Sequence, residues 1–174
     1  TGECNVSATL NLNNGSCVGR SFADAINFGV TSNISSGSGT VTLVSAPAGL
    51  DNGDEILIIN LQGPSGVGDY ETANITGVSG NTLTLDKNLT KSYDGTKNKI
   101  MVQRVPHYTT VTVNGTLTAD AFYCSRFLGG VLFFRASGAV SVASSGKIDM
   151  NGKGFNGGGS VDQNGGIQGA SPVG

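Results

Sequence analysis

Few side chains in this sequence are of a type that does chemistry, so their spacing matters. Carboxylates gather at Asp51/Asp54/Glu55 and at Asp69/Glu71. A glycosidase needs two of them facing each other across a groove, roughly 5–10 Å apart. Asp54 and Glu55 are sequence neighbours, so on a strand they point to opposite faces and cannot form that pair together. The stretch "DNGDE" sets oxygen ligands close together but lacks the Asp-x-Asp-x-Asp-Gly frame and terminal Glu of an EF-hand loop. Turn chemistry accounts for Asp51-Asn52-Gly53. His107, in "RVPHY", is the one histidine. With no second histidine and no serine elbow it supports no hydrolase triad. Its expected role is an exposed or hydrogen-bonded imidazole where two parts of the chain join. Arg126, Arg135, Lys147 and Asp149 form no evident lyase cluster. The chain therefore reads as a non-enzyme, with no catalytic residue, no cofactor and no metal site expected.

Three cysteines remain, Cys4, Cys17 and Cys124. Cys4 and Cys17 bracket a turn-rich segment and can close a short loop, whereas Cys17 and Cys124 can staple the N-terminus to later strands. Spacing leaves both pairings open. No Cys-x-x-Cys occurs, which argues against zinc. A disulfide points to an exported protein. Six Asn-x-Ser/Thr sequons, at Asn5, Asn14, Asn33, Asn74, Asn88 and Asn114, are candidate glycosylation sites. Tyr70, Tyr93, Tyr108 and Tyr123 are candidates for stacking on sugars.

Charged residues make up only 13% of the chain, glycine contributes 28 of 174 residues, and the net charge is -2. A neutral, hydroxyl-rich surface does not attract phosphate backbones, so a nucleic-acid partner is excluded. No run of about 20 apolar residues is present to span a membrane. The sequence opens without a charged and then apolar leader, so any signal peptide is expected to be gone already.

Positioning such residues falls to strands. Thr40–Val44, Glu55–Leu61, Tyr70–Val78, Asn81–Leu85, Lys99–Val105, Thr109–Val113, Val131–Ala136, Ala139–Ala143 and Lys147–Met150 are short, β-branched and bounded by turn residues. Only "SFADAINF" carries a weak helical period. The fold class is all-β. Residues 39–106 read as antiparallel hairpins, a small barrel or sandwich, with Ile56-Leu57-Ile58-Ile59 buried on both faces. Residues 107–152 change character. "VTVNGTLTAD" and "VSVASSGKIDMNG" share Val-x-Val, a polar link, Gly and x-Leu/Ile-x, which aligns Val111 with Val140 and Leu117 with Ile148. Two copies about thirty residues apart suit successive coils of a parallel β-solenoid. Residues 1–38 read as an extended segment; "NVSATLNLN" alternates Val6, Ala8, Leu10 and Leu12, as a strand donated to a neighbour or added to its own domain does. Residues 153–174 read as a glycine-rich extension, with Phe155, Val161, Ile167 and Val173 spaced about six apart. The chain is expected to be a fragment of a longer protein.

The motifs "GRSFADAINFGV", "GLDNGDEILIINLQG", "GDYETANITGVSGNTLTL", "MVQRVPHYTTVTVNGTLTA" and "GGVLFFRASGAVSVASSGKIDMNGKGFNGG" occur in that order. This order resembles that of large glycine-rich exported bacterial proteins of surface or adhesin-like type. The Gly-Asp-Glu strand followed by Gly-Asn-Thr-x-Thr-Leu also resembles the opening segments of right-handed β-helix proteins, including phage tailspikes. The resemblance implies a secreted or cell-surface location and an elongated shape more than an activity. "AFYCSRFLGG" departs from the pattern, marking Phe122, Tyr123, Cys124 and Phe127 as a contact surface or disulfide site particular to this protein. The resulting expectation is an exported structural or adhesive module that self-associates or binds other surface proteins. The alternative is a glycan-recognising adhesin or tailspike-type domain, and a polysaccharide lyase or hydrolase comes third.

Overall fold

A computed structural model describes residues 2–123 and 128–154. Among the described residues all regular structure is strand. The strands are β1 (Gly2–Val6), β2 (Thr9–Asn11), β3 (Asn27–Val30), β4 (Asn33–Ile34) and β5 (Thr40–Thr42), then β6 (Glu55–Gln62), β7 (Tyr70–Ser79), β8 (Thr82–Leu85), β9 (Tyr93–Asp94) and β10 (Lys99–Val105). They continue as β11 (His107–Val113), β12 (Thr116–Thr118), β13 (Arg135–Ala136), β14 (Val140–Val142) and β15 (Lys147–Ile148). "SFADAINF" forms no helix; its end opens β3. Val131–Phe134, expected as strand, carries none, and only Arg135–Ala136 of that run pairs.

Residues 27–105 make the antiparallel part. Six strands lie in the order β3-β10-β6-β7-β8-β5, and β7 turns into β8 through Gly80, whose φ of +58° is open to glycine at little cost. The sheet curls until its edges meet, where the Val44 N–H, just past β5, donates to the Gly29 carbonyl of β3 at 2.9 Å. Inside the curl sits a cluster that includes Ile56, Ile58, Ile75, Leu83, Ile100 and Val102. Burying each such aliphatic side chain contributes about 1.5–3 kcal/mol. The opposite face of β6 and β10 is also covered: Leu57, Met101 and Gln103 are all buried. Alternation explains the split, since residues two apart share a face.

Parallel pairing appears in the remainder, and it includes the N-terminus. β1 pairs with β11 in parallel, Cys4 opposite Val111 and Val6 opposite Val113. β11 pairs in parallel with β14, Val111 opposite Val140 and Val113 opposite Val142. Alongside, Leu10, Leu117 and Ile148 line up through β2, β12 and β15. The N-terminal segment thus adds to its own domain, and the antiparallel part is inserted between the first and second parallel layers. Each layer turns a tight corner before its second strand. A methyl group on Gly115 would collide with the Ala8 carbonyl, and one on Gly146 with the Val113 carbonyl, so both corners need the missing side chain.

Burial along these three columns is uneven. Val111, Val113 and Leu117 in the middle layer are essentially inaccessible, as are Cys4 and Val6 in the first. Val140, Val142 and Ile148 in the third are 47, 47 and 43% exposed. The first layer is sealed by the loop after β2, which returns to it through a Cys4–Cys17 disulfide and brings Val18 close enough that a methyl group on Gly2 would press against it. Asp24 fastens that loop, accepting from the Ser16 hydroxyl and Cys17 N–H, each at 2.7 Å, and from the Tyr108 hydroxyl at 2.8 Å. Burial and the Asp24 charge together push the Tyr108 phenol well above its ordinary range. The outer edge of the third layer pairs with nothing among the described residues.

Candidate functional site

Two places concentrate polar groups, and both lie where the antiparallel sheet meets the parallel layers. The first is built on Glu55, the opening residue of β6. Its carboxylate accepts two hydrogen bonds from Arg135, Nε at 2.7 Å and Nη2 at 2.6 Å, and stands 2.6 Å from His107 Nε2. Parallel register sets His107 directly opposite Arg135, so two neighbouring strands aim both groups at one buried carboxylate. Burial acts to raise the Glu55 carboxyl. Hydrogen bonds from Arg135 and His107, with help from Thr72, outweigh it and hold the group below its ordinary value. Asp54, on the other side of the strand, takes Arg104 Nε and Nη2 at 2.7 Å each, with Arg20 at 3.8 Å. A cleft of about 360 Å³ lies over both clusters, lined by residues 52–55, Arg104, Val105 and His107.

Chemically this junction is a lock between the two parts of the chain, with the Glu55 carboxylate committed to Arg135 and His107. His107 takes its place at the join between the two parts of the chain, as the sequence suggested. Asp69 and Glu71 are also occupied: Asp69 pairs with Lys91 Nζ at 2.8 Å, and Glu71 binds Thr90 and the Lys91 N–H. No group of three or more potential metal ligands forms among the described residues.

The second place is a cleft of about 410 Å³ lined by Asn27, Asp120, Ala121, Tyr123, Leu128 and Gly129. Asn27 opens β3, the edge strand of the antiparallel sheet. The chain after β12 crosses this sheet, anchored by Phe122, which is buried, and by the Gly129 N–H on Met101 Sδ at 3.4 Å. That anchoring turns the next ring outward, and Tyr123 is 60% exposed. Asp120 is held in place: its Oδ1 accepts from Asn11 Nδ2 at 2.5 Å and its N–H donates to Asn13 Oδ1 at 2.8 Å. Asn13 Nδ2 continues to Gln103 Oε1 at 3.2 Å. Gln103 is fully buried, and its Nε2 has no partner among the described residues.

The residues singled out in the sequence are distributed as follows. Cys4 and Cys17 are joined, while Cys124 and Phe127 lie outside the described residues, as do Phe155, Val161, Ile167 and Val173. Asn5, Asn14, Asn33, Asn74, Asn88 and Asn114 are all exposed. Of the contact surface, Tyr123 faces outward but Phe122 turns inward, because it serves as the anchor over the sheet. Of the four tyrosines, Tyr70 and Tyr123 are exposed, whereas Tyr93 and Tyr108 are core residues that cannot stack on a ligand. Asp120, Asn27 and Gln103 went unmarked in the sequence; Asn27 lies far from the other two along the chain, and only the sheet register brings it opposite Gln103.

No protein-family model matches the chain, and no curated protein matches it. Among solved structures it is similar to the tailspike of Pseudomonas phage LKA1, at 20% identity and a TM-score of 0.41, covering 69% of this chain and 27% of that one. It is similar to the tailspike of Acinetobacter baumannii bacteriophage AP22, solved in complex with A. baumannii capsular saccharide, at 15% identity and a TM-score of 0.39, covering 68% and 22%. It is also similar to the tailspike of Pseudomonas phage phi297, at 16% identity and a TM-score of 0.38, covering 82% and 24%. The chain thus spans about a quarter of the length of these tailspikes.

Proposed function

We propose that this chain is a glycan-recognising module of an extracellular fibre or surface protein, built as the sealed first coils of a parallel β-solenoid. The observation that carries the glycan reading is the cleft at the seam, where an outward tyrosine ring stands beside a fixed carboxylate and an amide. Concave sites with an aromatic wall and a few placed polar groups are how proteins hold small polar ligands. The three aligned columns, with the first layer sealed by the disulfide-closed loop, support the solenoid. The disulfide supports an oxidising compartment. The reading is of binding without bond cleavage, because Asp54 and Glu55 are each committed to a guanidinium.

A second, purely structural reading is favoured by one observation, the exposed third layer. Val140, Val142 and Ile148 present an apolar face and an edge that pairs with nothing among the described residues, of the kind that takes another strand. In that reading the module contributes length and stiffness, and partners are surface proteins rather than sugars. A glycan array probed with the whole protein separates the two: saturable binding to a defined set of glycans supports the first, and uniform silence supports the second.

A further inference from the structure

We propose that the seam cleft is a subsite for a neutral pyranose, with Tyr123 as the platform and Asp120 and Asn27 as the groups that read its hydroxyls. This deepens the glycan reading above and rests on it.

The chemistry of the lining selects the ligand class. A pyranose offers an apolar face of C–H groups on one side and a ring of hydroxyls at its edge. Tyr123, Ala121 and Leu128 supply apolar wall, and Asp120 and Asn27 supply polar atoms. Asp120 is the one charged residue among the described lining. Its Oδ1 is spent on Asn11, and no hydrogen bond engages its Oδ2 among the described residues. A carboxylate so placed accepts strongly from hydroxyls and repels an acidic sugar. The volume, about 410 Å³, falls inside the roughly 300–1,000 Å³ usual for small-ligand sites.

The support is preorganised. Asn11 and Asn13 fix Asp120 from both sides, and Gln103 backs Asn13. Gln103 stands directly opposite Asn27 in the antiparallel ladder, so the two side chains share a face. Buried amide nitrogens nearly always find an acceptor, yet Gln103 Nε2 has none among the described residues.

The test is an NMR titration of the whole protein with methyl glucopyranoside, galactopyranoside and mannopyranoside, and with methyl glucuronide as the acidic counterpart. Saturable shifts centred on Asn27, Asp120 and Gly129 are expected for at least one neutral sugar, with binding of the glucuronide at least tenfold weaker. Tyr123→Ala, at an exposed position, is expected to weaken the neutral sugar at least tenfold with the fold unchanged. Asn27→Asp, which keeps the size and adds charge, is expected to weaken it several-fold. If a glycan array is positive but these shifts fall elsewhere, or Tyr123→Ala binds as wild type, the subsite is wrong and the glycan reading stands. If array and titration are both silent, the glycan reading itself falls.

Discussion

Arg135 reaches back 80 residues along the chain to place Nε and Nη2 at 2.7 and 2.6 Å from the two oxygens of Glu55. This one fork ties the third parallel layer to the first residue of the central antiparallel strand. Its partner carboxylate is nearly buried while the guanidinium is half exposed. Removing the cation therefore strands a buried charge. Arg135→Ala is expected to cost about 2 kcal/mol, less than a fully buried pair because water screens the outer side. Arg135→Lys recovers part of this, since an ammonium cannot make the fork. Urea midpoints at unchanged slope read both values.

The same pair sets an acid limit. The Glu55 carboxyl is depressed in the folded state, so the stability it contributes is present above its unfolded value of about 4.3. That stability is lost as the pH falls through the lower folded value. Thermal midpoints of the wild type are expected to fall more steeply below about pH 4.3 than those of Glu55→Gln. Parallel curves for the two proteins would show that Glu55 is not part of the acid response.

Cys4 and Cys17 enclose a loop with a sequence separation of 13. Closing a loop of that size stabilises by about 3 kcal/mol through the unfolded chain. Cys17→Ser is expected to cost about that much. The loss should localise to the sealed end, with amides of β1 and the loop after β2 exchanging faster and those of β6 and β10 unaffected.

Layer position grades the cost of the same substitution. Val111→Ala empties a fully enclosed site and is expected to cost about 2 kcal/mol. Val140→Ala, one layer along the same column and half exposed, is expected to cost under about 1 kcal/mol. Equal costs would mean that the third layer is packed as tightly as the second. Gly146→Ala, at the corner closed by the Val113 carbonyl, is expected to exceed both.

Much of this architecture was legible in the sequence because local periodicity produced it. Lys99–Val105 is a strand with the bounds its β-branched run indicates, and Val111 and Leu117 pair with Val140 and Ile148 as the repeated Val-x-Val and x-Leu/Ile-x patterns align them. The first layer was harder to see. The insertion between Val6 and Val111 breaks the thirty-residue spacing, and Cys4 stands where the other copies have valine, so the third copy did not announce itself. The cleft was half legible. Tyr123 drew notice through an unusual aromatic cluster, but inward and outward rings cannot be told apart without knowing that Phe122 is anchored over the sheet. Asn27, Asp120 and Gln103 carry no local signal, since register brings Asn27 opposite Gln103, and Asn11 and Asn13 hold Asp120.

The central claim is that this protein recognises glycans at the seam, and the most direct measurement is a glycan array probed in parallel with the wild type and Tyr123→Ala. Saturable wild-type binding to a small set of glycans containing neutral pyranoses, lost in the variant, is the predicted result. An array silent for the wild type at micromolar protein would contradict it, and would favour the structural reading carried by the exposed valines and isoleucine of the third layer.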